Sequence, residues 1–151
     1  MLGDYPIGPV LLATDLSAAR HFYHDLIGLD ILDENDRAIG FRAGGTRLTV
    51  TKSTVGTADE QTQASWRVPD VRAEVAELRA RGVTVEQYDQ PGLKTDADGV
   101  ADVGFAWAAW IIAKLGGWSG YATHRPPGPI TFHRGLARFQ IMVTGRALAN
   151  V

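Results

Sequence analysis

The sequence predicts an α+β fold made of two βαβββ modules. Two aspartates, Asp15 and Asp70, each follow a short apolar stretch and precede a segment with helical periodicity. Each of these segments ends at a glycine, Gly28 or Gly82, which is typical of a helix C-terminus. Strand-like segments separated by turn residues come next, so the same order of elements occurs twice along the chain.

The first module begins with the apolar stretch GPVLLATD, and Asp15 is the expected N-cap of the following helix. Apolar residues of that segment recur at the i, i+3, i+4, i+7 spacing of one helical face: Ala19, Phe22, Tyr23 and Leu26. Three strands are predicted next, in the segments LDILDE, AIGFRAGG and TRLTVTKS, with a turn at Gly44 and Gly45.

The second module repeats this order. Its first strand is predicted in TQASWRVP, Asp70 is the expected N-cap, and the helix lies in VRAEVAELRARG. Three apolar residues of this helix share one face: Val71, Val75 and Leu78. Further strands are predicted in VTVEQYD and in the apolar segment that contains AAW.

The composition changes at Lys114. All seventeen acidic residues lie before it, whereas residues 114–151 contain five basic residues and no acidic one. The predicted division of the chain is a folded domain at 1–113, with module one at about 5–53, a linker at 54–61 and module two at 62–113, and an atypical basic tail at 114–151. Five charges are too dilute to predict nucleic-acid binding, so the tail is expected to dock on the acidic body of its own or a second chain.

Other features exclude several classes of protein. The chain has no cysteine, which excludes disulfides, thiolate metal ligands and cysteine nucleophiles. No apolar run approaches the ~20 residues that cross a bilayer, and the N-terminal residues do not resemble a signal peptide. Neither a phosphate-binding loop nor a nucleophile elbow is present. We therefore expect a cytoplasmic protein with neither a membrane nor a nucleic acid as partner.

Two longer stretches resemble a known family. The segment ATDLSAARHFYHDLIGLDI resembles the opening of a module of the vicinal oxygen chelate superfamily, which includes glyoxalase I, bleomycin-resistance proteins and extradiol dioxygenases. Residues 65–110 are similar to the second module of its small glyoxalase-like members. The resemblance implies curved mixed sheets that form a cleft, with the helices on the convex side. It also implies a closing strand soon after AAW, where this chain continues as KLGGWSGY, so module two is expected to lack that strand.

The same resemblance implies four metal-ligand positions. In metal-dependent members, a His or Gln on the first strand and a Glu on the last strand of each module hold a divalent ion. Gly8 and Thr49 stand at the two positions of module one, and Gln63 stands at the first position of module two. No acidic residue remains for the fourth position, so we expect neither the metal, which is the family default, nor another cofactor. The histidines, His21, His24, His124 and His133, are expected at the surface without a metal.

Strand alternation predicts which side chains face the cleft. On the first strand of module two, Gln63, Ser65 and Arg67 are expected inside, opposite Ala64, Trp66 and Val68 under the helix. The full set of candidate ligand-binding residues is Arg47, Thr49, Gln63, Ser65, Arg67, Tyr88 and Trp107. Two alternatives stay open for the arginines, which either bind an anion or pair with Asp96, Asp98 or Asp102. Tyr88, Trp107 and Trp110 are candidates for an aromatic wall, with the core as the favoured alternative for Trp110. No catalytic residue is identified.

Three hypotheses for function follow. The first is a protein that binds or sequesters a small anionic or aromatic molecule without the family metal site, as in drug-resistance relatives. The second is a glyoxalase-like lyase, isomerase or dioxygenase, and the third is an inactive member with an altered C-terminus. We expect a homodimer, because the second module exposes an apolar strand edge at Ala108–Ala113. Either the tail segment ITFHRGLARFQIMV or a second subunit is expected to cover this edge.

Overall fold

The computed structural model describes residues 1–4, 6–54, 58–104, 106–114 and 138–145. The first helix, α1 (Leu16–Arg20), continues directly as a π-helical segment (His21–Leu26), and the second helix is α2 (Val71–Ala80). The strands in chain order are β1 Val10–Ala13, β2 Asp30–Glu34, β3 Ala38–Ala43, β4 Thr46–Lys52, β5 Ala58–Arg67, β6 Asp89–Gln90, β7 Leu93–Lys94, β8 Val100–Asp102, β9 Trp107–Lys114 and β10 Arg138–Gly145. None of the described helices is both long and apolar enough to span a membrane.

The strands form two four-stranded mixed sheets of the same topology. Sheet one has the order β1-β4-β3-β2, and sheet two has the order β5-β10-β9-β8. The first strand of each sheet pairs in parallel with the last, and the other neighbours pair antiparallel. The short strands β6 and β7 form a separate hairpin. The predicted α+β fold with a repeated βαβββ order is confirmed, and the two sheets are not closed into one barrel.

The fourth strand of sheet two comes from the tail. Strand β10 lies antiparallel to β9, with Ile111 opposite Ile141 and Trp110 opposite Met142. Its other edge runs parallel to β5. The expectation that module two lacks a closing strand therefore applies only to the residues that directly follow β9, because residues 138–145 occupy that position. The expected strand beside Ala108–Ala113 is confirmed for these residues, and the rest of the tail lies outside the described ranges.

Both helices begin and end where the sequence predicts. The side chain of Asp15 accepts hydrogen bonds from two first-turn amides at 2.8 and 3.2 Å, and that of Asp70 accepts two at 2.9 and 3.1 Å. Each such cap stabilises its helix by about 1 kcal/mol. Gly28 and Gly82 have φ angles of 83° and 86°, a conformation that glycine adopts without steric cost.

One apolar core joins the two modules. Helix α1 contacts β3 and β4 of its own sheet and also β9 of sheet two, while α2 contacts β9 and β10. The core contains buried residues from the helices and from one face of each sheet, among them Phe22, Tyr23, Phe41, Leu48, Val50, Val75, Leu78, Ala109, Ile111 and Val143. The helix-covered faces of both sheets therefore meet in this core. The other face of each sheet, its open face, points away from it.

The segment Val83–Tyr88 differs from its predicted strand. Only Val85 makes a β-bridge, opposite Ile111 of β9. The amide of Tyr88 donates instead to the hydroxyl of Thr95 at 2.9 Å, which turns the chain into the β6–β7 hairpin. This turn brings Tyr88 over the open face of sheet two.

Candidate functional site

The open face of sheet two carries the polar residues that alternation predicts on β5. Ala64 and Trp66 pack against the core, while Gln63, Ser65 and Arg67 are exposed on the opposite face. We call these three residues the polar row. From Gln63 to Arg67 the exposure of the side chains alternates with the period of two expected for a half-buried strand.

An apolar cluster lies beside the polar row on the same face. Strand pairing places Met142 between Ser65 and Trp110. The rings of Tyr88 and Trp110 meet edge to face, with their centroids 5.5 Å apart. The cluster is formed by Ala101, Ala108 and Trp110 with partly buried Tyr88, Leu93, Val103 and Met142. The open face of sheet two therefore combines an aromatic pair with hydroxyl, amide and guanidinium groups.

Trp107 lies on the other side of the sheet. It packs against the main core, and the guanidinium carbon of Arg72 on α2 is 5.5 Å from its ring centroid. Ala109 and Ile111 face the core, so Trp107 must do so too, and Trp110 takes the open face. Trp110 is buried, as the sequence favoured, but it packs in the cluster that contains Tyr88, whereas Trp107 packs against the main core.

Arg67 is exposed and makes no ion pair with any other described residue. The carboxylates of Asp96 and Asp98, two of the alternative partners, bind Arg72 at 2.5 and 3.0 Å. The hydrogen bond with Asp96 raises the pKa of Arg72, which keeps that guanidinium charged. Arg67 therefore remains the available cation of the polar row.

Arg47 does have an acidic partner, but the partner comes from sheet one. Its guanidinium donates two hydrogen bonds of 2.6 Å to Asp33 on β2. This hydrogen bonding is the main cause that lowers the pKa of Asp33. Thr49 lies next to Arg47 on the same face, with its hydroxyl 3.4 Å from the Arg47 Nε. The three acidic partners considered from sequence all lie in module two, so the partner of Arg47 was missed.

The candidate residues therefore fall into two groups. Arg47 and Thr49 lie on the open face of sheet one, whereas the polar row and Tyr88 lie on the open face of sheet two. Arg42, which is not among the residues predicted from the sequence, stands directly opposite Arg47 on β3 and is exposed. Alternation from the buried Phe41 is the signal that places Arg42 on this face.

The sheet register places the fourth position of the metal site that the resemblance implies. In sheet one Val10 is opposite Thr49, and in sheet two Ser65, the corresponding residue of β5, is opposite Met142. Met142 therefore corresponds to Thr49. The four positions hold Gly8, Thr49, Gln63 and Met142, which offer one amide oxygen, one hydroxyl and one thioether. Without imidazole or carboxylate, this set does not fit a divalent ion such as Zn, Ni or Mn.

The histidines of the first helix are engaged in local hydrogen bonds. The Nδ1 atom of His21 lies 2.8 Å from a carboxylate oxygen of Asp25, and the hydrogen bond is the main cause that lowers the pKa of Asp25. His24 Nδ1 donates to the carbonyl oxygen of Leu29 at 2.8 Å. Among the described residues there is no group of three or more His, Asp or Glu side chains arranged to hold a metal. His124 and His133 lie outside the described residues.

A family model described as the Glyoxalase/Bleomycin resistance protein/Dioxygenase superfamily matches residues 7–108. No curated protein matches the chain. Among solved structures, TnmS3, an antibiotic binding protein from Streptomyces sp. CB03234, is 17% identical, with 95% of this chain and 98% of that chain covered and a TM-score of 0.59.

Two further structures have the same fold. A glyoxalase family protein from Enterococcus faecalis is 14% identical, with 95% of this chain and 99% of that chain covered and a TM-score of 0.59. The fosfomycin resistance protein FosX from Listeria monocytogenes, in complex with Mn(II) and sulfate, is 9% identical, with 95% and 91% covered and a TM-score of 0.56. At these identities the likeness concerns the fold alone.

Proposed function

The chain belongs to the glyoxalase/bleomycin resistance protein/dioxygenase superfamily, and we propose that it binds and sequesters a small aromatic anion without a metal ion. The observation that carries this proposal is the open face of sheet two. There Arg67, which is exposed and forms no ion pair with another described residue, lies on the same face as the partly buried Tyr88 and the buried Trp110. The proposal concerns binding and assigns no catalytic residue.

Arg67 is suited to hold the anionic end of such a ligand. A guanidinium presents parallel N–H donors that match the two oxygens of a carboxylate or phosphonate. The hydroxyl of Ser65 lies two residues away on the same face of β5 and supplies a further donor. Ser65 and Trp110 are separated by one strand, β10. This spacing corresponds to about 10 Å, the reach of one aromatic acid.

We further propose that a second copy of the chain completes the cleft. Two apolar side chains of β1, Val10 and Leu12, are 61% and 40% exposed on the open face of sheet one. In this dimer, the open face of sheet one in one protomer covers the open face of sheet two in the other protomer. The contact buries Val10 and Leu12. A two-fold axis then forms the same cleft twice, with Arg47 and Thr49 facing the polar row of the partner.

The relatives support binding in different ways. TnmS3 is described as an antibiotic binding protein, and FosX is a resistance protein seen with Mn(II). The positions Gly8, Thr49, Gln63 and Met142 offer no imidazole or carboxylate ligand. This donor set favours binding without a metal ion for this chain. The lyase, isomerase and dioxygenase hypotheses, and that of an inactive member, remain alternatives that the following experiment separates from it.

The test is a calorimetric titration of the full-length protein with benzoate, phenylphosphonate and neutral benzyl alcohol. The two anions are expected to bind more tightly than the alcohol and to be recovered chemically unchanged. Arg67→Gln is expected to weaken anion binding about tenfold, because it removes a charged hydrogen-bond donor. The control is Arg37→Gln, at an exposed position in the β2–β3 turn. Equal losses in both variants, or equal binding of alcohol and anions, would contradict the proposal.

A further inference from the structure

A cavity at the junction of the two modules lies on the side of the sheets opposite the polar row. Its volume is about 220 Å³. It lies between the end of the first helix, α2 and sheet two, and we call it the junction cavity. Six of the residues that line it are Ile27, Leu29, Trp66, Glu74, Ile111 and Val143. Trp66 and Arg67 are neighbours on β5 and point to opposite faces, so the junction cavity is distinct from the proposed anion site.

Among the described residues that line this cavity, Glu74 is the one with an ionisable side chain. It is partly buried, and its carboxylate forms no ion pair with any residue of the described ranges. Helix α2 offers it no cation, since the residues three and four positions away are Asp70, Val71, Glu77 and Leu78.

Two arginines on this side of the domain, Arg72 of α2 and Arg81 just after its end, have acidic partners of their own, and Arg79 forms no ion pair with Glu74. Arg81 binds Glu77 at 2.7 Å, and Arg72 binds Asp96 and Asp98. Glu74 is therefore a carboxylate against an apolar wall without a counterion among the described residues. Such a group is stabilised when a cation reaches it, because burial of an unpaired charge is unfavourable.

We propose that the junction cavity binds a small primary ammonium ion that carries one aromatic or alicyclic ring. The ammonium group donates to the Glu74 carboxylate, and the ring fills the space between Trp66, Ile111 and Val143. A dry cavity of about 150 Å³ is large enough for benzene, so this one accommodates a ring with an aminomethyl group. Trp66 adds aromatic surface, which attracts cations. Residues of both modules line the cavity, so the ligand stabilises their packing.

The experiment uses benzylamine as the probe, with benzyl alcohol and benzoate as its neutral and anionic analogues. Binding is measured by calorimetry and by the fluorescence change of Trp66, isolated against a Trp66→Phe variant. Benzylamine is expected to bind more tightly than either analogue. Glu74→Gln is expected to weaken benzylamine binding about tenfold or more, because a charged hydrogen bond is lost. The matched control Glu77→Gln removes the same charge from the same helix outside the cavity and is expected to change the affinity less than about twofold.

Several results would overturn the inference. One is equal affinity of wild type and Glu74→Gln, and another is benzyl alcohol binding as tightly as benzylamine. A third is an equal loss of benzylamine affinity in Glu74→Gln and Glu77→Gln, which would indicate an effect of the net charge of the protein. Arg67→Gln separates this site from the proposed anion site, because it is expected to leave benzylamine binding unchanged. Loss of benzylamine binding in Arg67→Gln would place the amine on the open face and contradict the junction cavity.

Discussion

The guanidinium of Arg47 on β4 reaches Asp33 on β2 by crossing the intervening strand over Gly40. A Cβ atom at residue 40 would collide with the guanidinium, so the contact depends on glycine at this position. The pair spans three neighbouring strands of sheet one. It also neutralises one of the two arginines on that open face, which leaves Arg42 as the more available cation there.

Gly40→Ala is therefore expected to separate Arg47 from Asp33 and to raise the pKa of Asp33 towards its ordinary value. The change in stability is expected to be small, because the guanidinium is the mobile end of a long side chain. A carbon-detected NMR titration of the Asp33 carboxyl measures the effect. Asp25, whose pKa is lowered mainly by His21, serves as the internal control. An unchanged Asp33 titration would contradict this prediction. It would show that the Arg47 side chain still reaches Asp33 when residue 40 carries a methyl group.

The same pair predicts the sign of a pH effect. The pKa of Asp33 is lowered in the folded protein, so its contribution to stability is present above the ordinary carboxyl pKa. That contribution is lost as the pH falls through the lowered pKa. The free energies of unfolding of wild type and Asp33→Asn are measured in urea at neutral and acidic pH. The two values are expected to differ at neutral pH and to converge at acidic pH. A constant difference between the two proteins would contradict this linkage.

The metal content provides a third prediction. Protein purified without chelator is expected to hold far less than one divalent ion per chain, because Gly8 and Met142 stand at two of the implied ligand positions. Elemental analysis after dialysis measures it, and stoichiometric Ni, Zn, Fe or Mn would contradict it. The triple variant Gly8→His/Thr49→Glu/Met142→Glu places His, Glu, Gln and Glu at the four positions. These positions lie on the open faces of two sheets that meet in the proposed dimer, so the dimeric variant is expected to gain affinity for Zn or Ni, which tests the sheet register and the dimer together.

The hydroxyl of Tyr23 gives a fourth prediction. It is buried and has no hydrogen-bond partner among the described residues, and burial raises the pKa of Tyr23 well above its ordinary value. Tyr23→Phe removes this unsatisfied group and is expected to be neutral or to stabilise the protein by up to about 1 kcal/mol. Phe22→Ala, at the neighbouring core position, is expected to cost about 3–5 kcal/mol. Urea titrations compare the two, and a clear loss of stability in Tyr23→Phe would reveal a partner for the hydroxyl.

Deletion of residues 114–151 gives a fifth prediction. It removes β10 and leaves β5 and β9 of sheet two each with an unpaired edge. The core also loses Val143, which is 3% exposed. The truncated protein is expected to aggregate, because open strand edges template association. Light scattering and thermal unfolding measure this, with a deletion of residues 146–151 as the control that keeps β10. A monomeric 1–113 fragment with unchanged melting temperature would show that the tail is dispensable.

Features that depend on neighbouring residues were predictable from the sequence. Asp15 and Asp70 cap their helices because a carboxylate reaches amides only two and three residues away. The two faces of β5 follow from alternation within one strand, which placed Arg67 on the face opposite Trp66. The repeated order of elements likewise follows from local patterns, and it already indicated the two-module fold.

Features that depend on which strands become neighbours were not predictable in this way. The face occupied by Trp107 depends on the register of β9, and a shift of one residue exchanges Trp107 with Trp110. The partner of Arg47 depends on the order β4-β3-β2, which brings a residue of β2 within reach across Gly40.

The sequence by itself determined the two modules, their helix boundaries and the polar row, because each rests on contacts within a few residues. Only the tertiary structure decided that β10 lies between β5 and β9 and that Met142 stands where Thr49 stands in module one. Residues 115–137 separate β10 from β9, so no local pattern links the two strands. Their pairing is selected by the burial of Ile111 and Val143 in the shared core and by the backbone hydrogen bonds that both edges of β10 complete.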